Sequence, residues 1–280
     1  MMTVTEKAFA KINLFLRVEK KRPDGYHDLT SVMHTVSLYD TVRIRKKPGN
    51  DIIFRCSVPE LDGENNLCVR AARLFTEKYG TGGCEIILKK RIPWGAGLGG
   101  GSADCAAVLR GMNRLYGTGA GSEDLERLGA KLGADVPFLI NGGASLARGI
   151  GDILTPLNRL YNACVLIIEG DAKTGTAGAF ARLDGIKSKS HETDEKKDVR
   201  ALIDAIGQND LKTVGSLLFN DFEVLYNRDD RYALCRGAEG VCLTGSGSAV
   251  FAIYSDENEM KKDSDYIKKH GYKTHPCSTV

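Results

Sequence analysis

The sequence predicts a protein of mixed strands and helices in about two domains, or one large one, and three observations predict it. The chain has 280 residues, beyond the roughly 100–200 residues usual for one domain. Apolar positions recur at both the two-residue and the helical period. A short apolar run, Ala163–Ile168, opens a fresh series of elements, which sets the division at 1–156 and 157–280. Hydrophobic residues make up 42% and charged residues 27%, an ordinary globular composition. A net charge of +3, from 39 basic and 36 acidic residues, is too balanced to suggest a nucleic-acid or membrane-surface protein.

The elements follow in order. Residues 8–18 read as a strand, with Ile12, Leu14, Leu16 and Val18 on the core face and Lys11 and Asn13 on the other. Arg22–Gly25 is a turn, with proline second and glycine fourth. Residues 29–46 hold strand material, including the alternating Thr41–Arg45, and 51–58 form another strand. Asn66–Tyr79 is helical, with Leu67, Ala71, Leu74 and Phe75 on one stripe. Cys84–Lys89 is a strand. Cys105, Val108, Leu109, Met112, Leu115 and Tyr116 mark the inner side of the next helix. Asp104, Arg110, Asn113 and Arg114 mark its outer side. Ser122 is placed to cap a further helix that ends near Gly133.

Ala144 to Pro156 is a short strand and a loop, and Ala163–Ile168 a buried strand. Residues 187–198 are a charged run without periodicity, expected as an exposed loop or a helix start and not as a binding tail. Helical patterns cover about 199–226. Val241–Tyr254 gives strand, small-residue loop, strand, and a helix and short strand close the chain. The eight cysteines contain no C-x-x-C spacing and are expected as buried free thiols. Met1–Lys7 has no apolar signal-type core, and no 18-residue apolar run occurs. The expectation is a cytoplasmic protein, with no membrane and no nucleic-acid partner.

The most informative stretch is Pro93–Ala103, which packs five glycines and a serine between a strand and a helix. Bare backbone can approach a polyanion closely, and a helix starting just behind it adds unpaired N–H groups. The stretch reads as a phosphate cradle. A Walker loop would need lysine where Gly101 stands. A dinucleotide fingerprint would need a second strand ending in an acid, where Tyr116–Ser122 is turn material. A plain linker does not suit a position between two well-patterned elements.

Other clusters stay open on spacing alone. Lys11 is either a solvated edge lysine or a fixed charge that stabilises an anion. Asp135, two residues before Pro137, is either a turn cap or a carboxylate that accepts a hydroxyl proton. Ser102 caps its helix or ligates Mg²⁺ through its hydroxyl. Thr244–Ser248 is a hairpin loop or a second anion nest. His27, after Tyr26, is a surface residue or reads a planar polar ligand.

Taken together and in this order, these clusters resemble the GHMP kinase superfamily. The resemblance is carried by Ala10–Leu14, Arg22–His27, Ser37–Asp40, Asn66, Leu67, Arg70, Ala71, Pro93–Ala103, Gly133–Pro137 and Thr244–Ser248. It spans residues 10–254. The Pro23–His27 segment resembles the branch acting on 4-diphosphocytidyl-2-C-methyl-D-erythritol in non-mevalonate isoprenoid synthesis. The implied fold is a two-domain α+β GHMP kinase fold: an N-terminal mixed-sheet nucleotide domain, a ferredoxin-like C-terminal domain, and the active site in the cleft between them.

The implied activity is transfer of the ATP γ-phosphoryl group to the C2 hydroxyl, with ATP and Mg²⁺ as cofactors. Asp135 matches the catalytic base and Lys11 its partner. Pro93, Trp94, Gly95, Ala96, Gly97, Leu98, Gly99, Gly100, Gly101, Ser102 and Ala103 match the ATP phosphate loop, with Ser102 as metal ligand. Asn66 and Leu67 match purine-pocket positions, and Thr244, Gly245, Ser246 and Gly247 the late ATP loop. Asn13 matches a residue that orients the erythritol. Tyr26 and Phe180 match rings that sandwich cytosine, and His27 the residue that bonds its edge. The implied partner is a small cytidyl diphosphate alcohol, with the enzyme a monomer or weak homodimer. Met33 departs from a common aromatic, His34 from a common glutamine, and residues 169–176 from a stretch that usually carries proline. The rival readings are a GHMP kinase for another alcohol, a nucleotide-binding relative without catalysis, and a dinucleotide oxidoreductase.

Overall fold

The computed structural model describes residues 2–170, 175–187, 198–226 and 228–280. In chain order the elements are β1 Thr3–Lys21, β2 His27–Lys46, β3 Ile52–Cys56, α1 Leu67–Tyr79, β4 Cys84–Lys89, α2 Gly100–Tyr116, α3 Ser122–Ala130, α4 Val136–Asn141, β5 Ala144–Arg148 and β6 Ile153–Leu157. They continue with β7 Cys164–Ile168, α5 Thr176–Lys187, α6 Val199–Gly207, α7 Leu211–Leu217, β8 Phe219–Asn220, α8 Asp230–Leu234, β9 Gly240–Leu243, β10 Val250–Tyr254, α9 Glu257–Lys269 and β11 Thr274–Ser278. The chain forms two compact units. The first comprises 1–10, 39–92 and 99–142, the second 11–38, 93–98 and 143–280. Each is assembled from segments distant in sequence. The main sheet runs β3-β4-β2-β1-β8, with β5 paired to β2 and β6 to β5.

In the first unit, β4 pairs antiparallel with Thr41–Lys46 of β2 and parallel with β3. The alternation Thr41–Arg45 works as the sequence predicts: Val42 and Ile44 are buried, Arg43 and Arg45 exposed. Ile86 and Leu88 join the buried face. Helices α1 and α2 supply its other half, through Val69, Ala72 and Phe75 and through Ala106, Leu109 and Met112. Gly111 lets α2 come close, since a Cβ there would lie 2.5 Å from Ile44 Cδ1. Asn66 starts α1 by accepting the Cys68 N–H at 2.9 Å. Ser122 does not cap α3. Gly121, in extended backbone, takes the cap position, and Ser122 is the first helical residue.

In the second unit, Ser31–His34 of β2 pair with β5, and Phe15 and Leu16 of β1 pair parallel with β8. A separate four-stranded sheet runs β11-β7-β10-β9 with every pairing antiparallel. Leu166, Ile168, Ala252 and Tyr254 of that sheet pack with Met260 and Ile267 of α9. The Arg22–Gly25 turn joins β1 to β2, with the Gly25 N–H donating to the Arg22 carbonyl at 3.1 Å. The helical pattern at 199–226 resolves into α6, α7 and, after β8, a 3-10 turn over Asp221–Leu225. Asn220 starts that turn: its Oδ1 accepts the Phe222 N–H, and its Nδ2 donates to the Leu243 and Gly245 carbonyls. Residues 188–197 of the charged run lie outside the described residues. All eight cysteines are free thiols. Among the described residues no helix is long and apolar enough to cross a membrane.

Candidate active site

Lys11 and Asn13 are not on a solvated face. They are 5% and 3% exposed, because β1 is buried on both faces from Ala10 to Leu16. A buried charge needs polar company, and Lys11 Nζ donates to Asn13 Oδ1 at 2.7 Å. Asn13 in turn donates to Ser31 Oγ at 2.8 Å, and Ser31 donates to the Phe15 carbonyl at 2.8 Å. The Gly245 N–H donates to Asn13 Oδ1 at 2.9 Å, and the Asn13 N–H to Thr244 Oγ1 at 3.2 Å. Asn13 is thus a node that fixes the ammonium beside the late glycine loop.

That loop is the hairpin connection between β9 and β10, and it does more than turn the chain. The Ala249 N–H donates to the Ala96 carbonyl at 3.1 Å, and the Lys11 N–H to the Leu98 carbonyl at 3.0 Å. The front half of the Pro93–Ala103 stretch is therefore pinned to β1 on one side and to the late loop on the other. Gly97 has φ +82°, and a Cβ there would sit 2.1 Å from the Thr244 carbonyl oxygen. Gly245 has φ +56°, and a Cβ there would meet the Gly97 carbonyl oxygen at 2.7 Å. Backbone packs on backbone, so no side chain fits at either place. Tyr226 closes the loop from outside, donating to the Ser246 carbonyl at 2.7 Å.

The rear half, Gly99–Ala103, belongs to the first unit. The first intrahelical bond of α2 runs from the Ala103 N–H to the Gly99 carbonyl at 2.8 Å. The N–H groups of Gly100, Gly101 and Ser102 precede it, and no side chain caps them. Ser102 is inside the helix and is not its cap. Its Oγ faces the next bend, since a Cβ on Gly133 would lie 3.7 Å from it. Two residues on, Asp135 stands just before α4, half-buried, and its carboxylate takes no cap bond from the helix. Leu67 abuts the same helix start: a Cβ on Gly101 would lie 3.7 Å from Leu67 Cδ1. Asn66 spends its side chain on the α1 cap and on the Leu61 carbonyl, 2.9 Å from Nδ2.

Under this helix start lies a buried cluster that spacing did not reveal. Lys90 Nζ is bound by Asp40 and by Asp104, the latter at 2.7 Å. Asp40 also accepts the backbone N–H groups of Arg91 and Ile92. Gly100 rests on the ammonium, a Cβ there being 3.3 Å from Lys90 Nζ. Asp104 is 3% exposed and does not lie on an outer helix face. Burial pushes its carboxyl up to about 8 against the pull of Lys90. Burial alone would lower the Lys90 ammonium, but the two carboxylates raise it.

The remaining expected residues lie in the second unit. His27 is buried, not a surface residue, and its Nε2 is 2.7 Å from Asp184 Oδ1. Its ring stacks on Phe180, centroids 5.0 Å apart at 22°. Phe180 stands edge-on to Phe222 at 4.9 Å. Burial would raise the Asp184 carboxyl, but hydrogen bonds from Lys21 and His27 hold it below its ordinary value. Tyr26 points outward, 61% exposed. Met33 and His34 are fully interior. His34 Nε2 accepts the Leu160 N–H at 3.0 Å, and Nδ1 donates to the Thr35 carbonyl at 2.8 Å. Both ring nitrogens of His34 are thus committed to backbone.

The chain is also similar to known proteins. Residues 66–143 match the GHMP kinases N terminal domain, and residues 202–273 the GHMP kinases C terminal domain. A 4-diphosphocytidyl-2-C-methyl-D-erythritol kinase of Lachnoclostridium phytofermentans is 36% identical, over 94% of this chain and 91% of the relative. The same enzyme of Caldicellulosiruptor saccharolyticus is 37% identical, over 94% and 92%. A crystal structure of a 4-(cytidine 5'-diphospho)-2C-methyl-D-erythritol kinase superposes with a TM-score of 0.80 at 29% identity, covering 99% of each chain. Mevalonate kinase of Methanococcus jannaschii shares the fold, with a TM-score of 0.77 at 18% identity over 100% of this chain and 98% of that one. The chain is a two-domain α+β phosphotransferase that belongs to the GHMP kinase family, within its 4-diphosphocytidyl-2-C-methyl-D-erythritol kinase branch.

Proposed function

We propose that this chain transfers the γ-phosphoryl group of ATP to the C2 hydroxyl of 4-diphosphocytidyl-2-C-methyl-D-erythritol, in non-mevalonate isoprenoid precursor synthesis. The observation that carries the reading is the Asn13 node, which holds the Lys11 ammonium and the late glycine loop together while Gly97 packs into that loop. Phosphoryl transfer passes through a loose transition state, so fixed charge and position matter most. Asp135 accepts the hydroxyl proton as the C2 oxygen forms its bond to the γ-phosphorus. The bond from that phosphorus to the β,γ-bridging oxygen breaks, and ADP leaves with the electron pair. Lys11 stabilises the negative charge on the acceptor oxygen. The N–H groups of Gly100, Gly101 and Ser102, with the Gly95–Gly99 backbone, hold the phosphates.

Mg²⁺ fits Ser102. Its hydroxyl, in the first turn of α2, faces the bend at Gly133, which carries no side chain. Magnesium commonly takes one or two protein oxygens and completes its shell with phosphate and water. Bound there, the ion would offset charge on the phosphate oxygens. On the substrate side, Asn13 orients the erythritol, His27 bonds the cytosine edge, and Tyr26 and Phe180 offer ring faces. The Phe180 face now on His27 would turn toward the base. Asn66 and Leu67 border the purine at the start of α2. The two functional halves are 1–156 and 157–280. The N-terminal family match ends at 143 and the C-terminal one begins at 202, which supports that division. We place the enzyme in the cytoplasm, as a monomer or weak homodimer.

The test is a panel. Purified chain with ATP and Mg²⁺ is offered the cytidyl alcohol, mevalonate, homoserine and galactose, and products are followed by ³¹P NMR. A new phosphomonoester on the cytidyl alcohol alone is expected. Equal turnover of an alcohol lacking the cytidyl group would sink the substrate assignment.

A further inference from the structure

The outer face of the first unit's sheet carries charge that the kinase reaction does not use. Arg43 and Arg45 on β2, Arg55 on β3, Glu85 and Ile87 on β4 and Thr3 on β1 line a hollow of about 390 Å³. That size lies within the ~300–1,000 Å³ of small-molecule sites. Register explains why these residues meet. Arg43 stands opposite Ile87 on one side, and Arg55 opposite Ile87 on the other. Neighbouring strands lie ~4.8 Å apart, so the two arginine backbones are ~10 Å apart across Ile87. Side chains of both arginines line the hollow together with that isoleucine.

Charge decides what the hollow would hold. Three guanidiniums face one carboxylate, and Glu85 is spent on Arg45 at 2.6 Å. Arg43 and Arg55 form no ion pair among the described residues. Like charges gathered on one face repel, and nothing in the folding of the sheet requires them there. A guanidinium fork matches phosphate oxygens bidentately, and two forks flanking an apolar floor suit a diphosphate with a short apolar tail.

We propose that this hollow is a second anion site, separate from the ATP site, that binds a small diphosphate through Arg43, Arg55 and Arg45. The diphosphate is either inorganic pyrophosphate or the head of an alkyl diphosphate lying on Ile87. The test is isothermal titration of the intact chain with its ATP site filled by a non-hydrolysable ATP analogue and Mg²⁺. Pyrophosphate and an alkyl diphosphate are titrated separately.

One saturable site per chain is expected for at least one of them, and the ratio of the two affinities tells whether Ile87 contributes. Arg43→Gln with Arg55→Gln should weaken that binding at least tenfold, with the kinase rate on saturating substrates unchanged. Glu85→Gln frees Arg45 and should tighten it severalfold. No saturable binding with the analogue present, or an affinity indifferent to both the arginine and the Glu85 changes, would overturn the proposal. Binding only of an acidic protein or nucleic acid would overturn it as well.

Discussion

At the scale of single residues, Lys90 tests how far a buried ion cluster can be dismantled. Two carboxylates share its ammonium beneath Gly100, and Asp104 Oδ1 is buried with no partner. Lys90→Met leaves Asp40 and Asp104 without their cation, and such a change costs about 3–5 kcal/mol. Asp104→Asn is different. Burial raises the Asp104 carboxyl against the pull of Lys90, and an amide keeps the shape while Asp40 still holds the ammonium. The change should cost clearly less than Lys90→Met. The sign of the pH effect follows from linkage. Asp104 is raised in the folded state, so its contribution is complete below the unfolded carboxyl's range and fades as pH climbs toward 8. Urea unfolding from pH 5 to 8.5 should show that fade in the parent and not in Asp104→Asn. His34 works the other way. Burial lowers its pKa, so the unfolded chain takes up its proton first and stability drops as pH falls below about 6.5. His34→Gln should flatten that acid-side slope. An unchanged slope would clear His34 of the effect.

At the scale of elements, the two glycine loops stand or fall together. Gly97 is in left-handed backbone and would drive a Cβ into the Thr244 carbonyl. Gly119 has a similar φ of +69° but open space around it. Gly119→Ala should therefore cost only backbone strain, about 1–2 kcal/mol. Gly97→Ala adds a clash that only separation of the loops relieves, and it should weaken ATP binding as well as stability. Paired melting curves and nucleotide titrations check this. Equal effects from the two alanines would mean that the loops are not interlocked. This contrast also shows what sequence could tell. The strands β1, β2 and β4 and the helices α1 and α2 were legible, because one apolar period persisted along each. The burial of Lys11 was not. A two-residue period assigns one face to the core, yet here the opposite face meets the late loop through Asn13, Thr244 and Gly245. Nor was the Lys90 cluster legible. Asp40 and Lys90 are 50 residues apart, and only the folded sheet brings β2 and the end of β4 together. His27 and Phe180 were found by resemblance, whereas their partner Asp184 carries no signal in spacing.

At the scale of the whole molecule, the question is whether Lys11 and Asp135 serve one chemical step. Lys11 is rigidly held through Asn13, and Asp135 is exempt from capping α4. Neither needs to touch the nucleotide base, so removing either should spare ATP affinity. A general base contributes typically ~10²–10⁴-fold, and Asp135→Asn should lower kcat by about that factor. Loss of one preorganised stabilising group costs ~10²–10³-fold, the drop expected for Lys11→Met. Groups that act as a unit are not additive. The double variant should therefore fall little further than Asp135→Asn alone, instead of by the product of the two factors. Steady-state rates at saturating substrates give kcat, and equilibrium titration with a non-hydrolysable ATP analogue gives the affinity. Multiplying effects would show that the two residues act on separate steps, and a large loss of nucleotide affinity would place them in binding instead of chemistry.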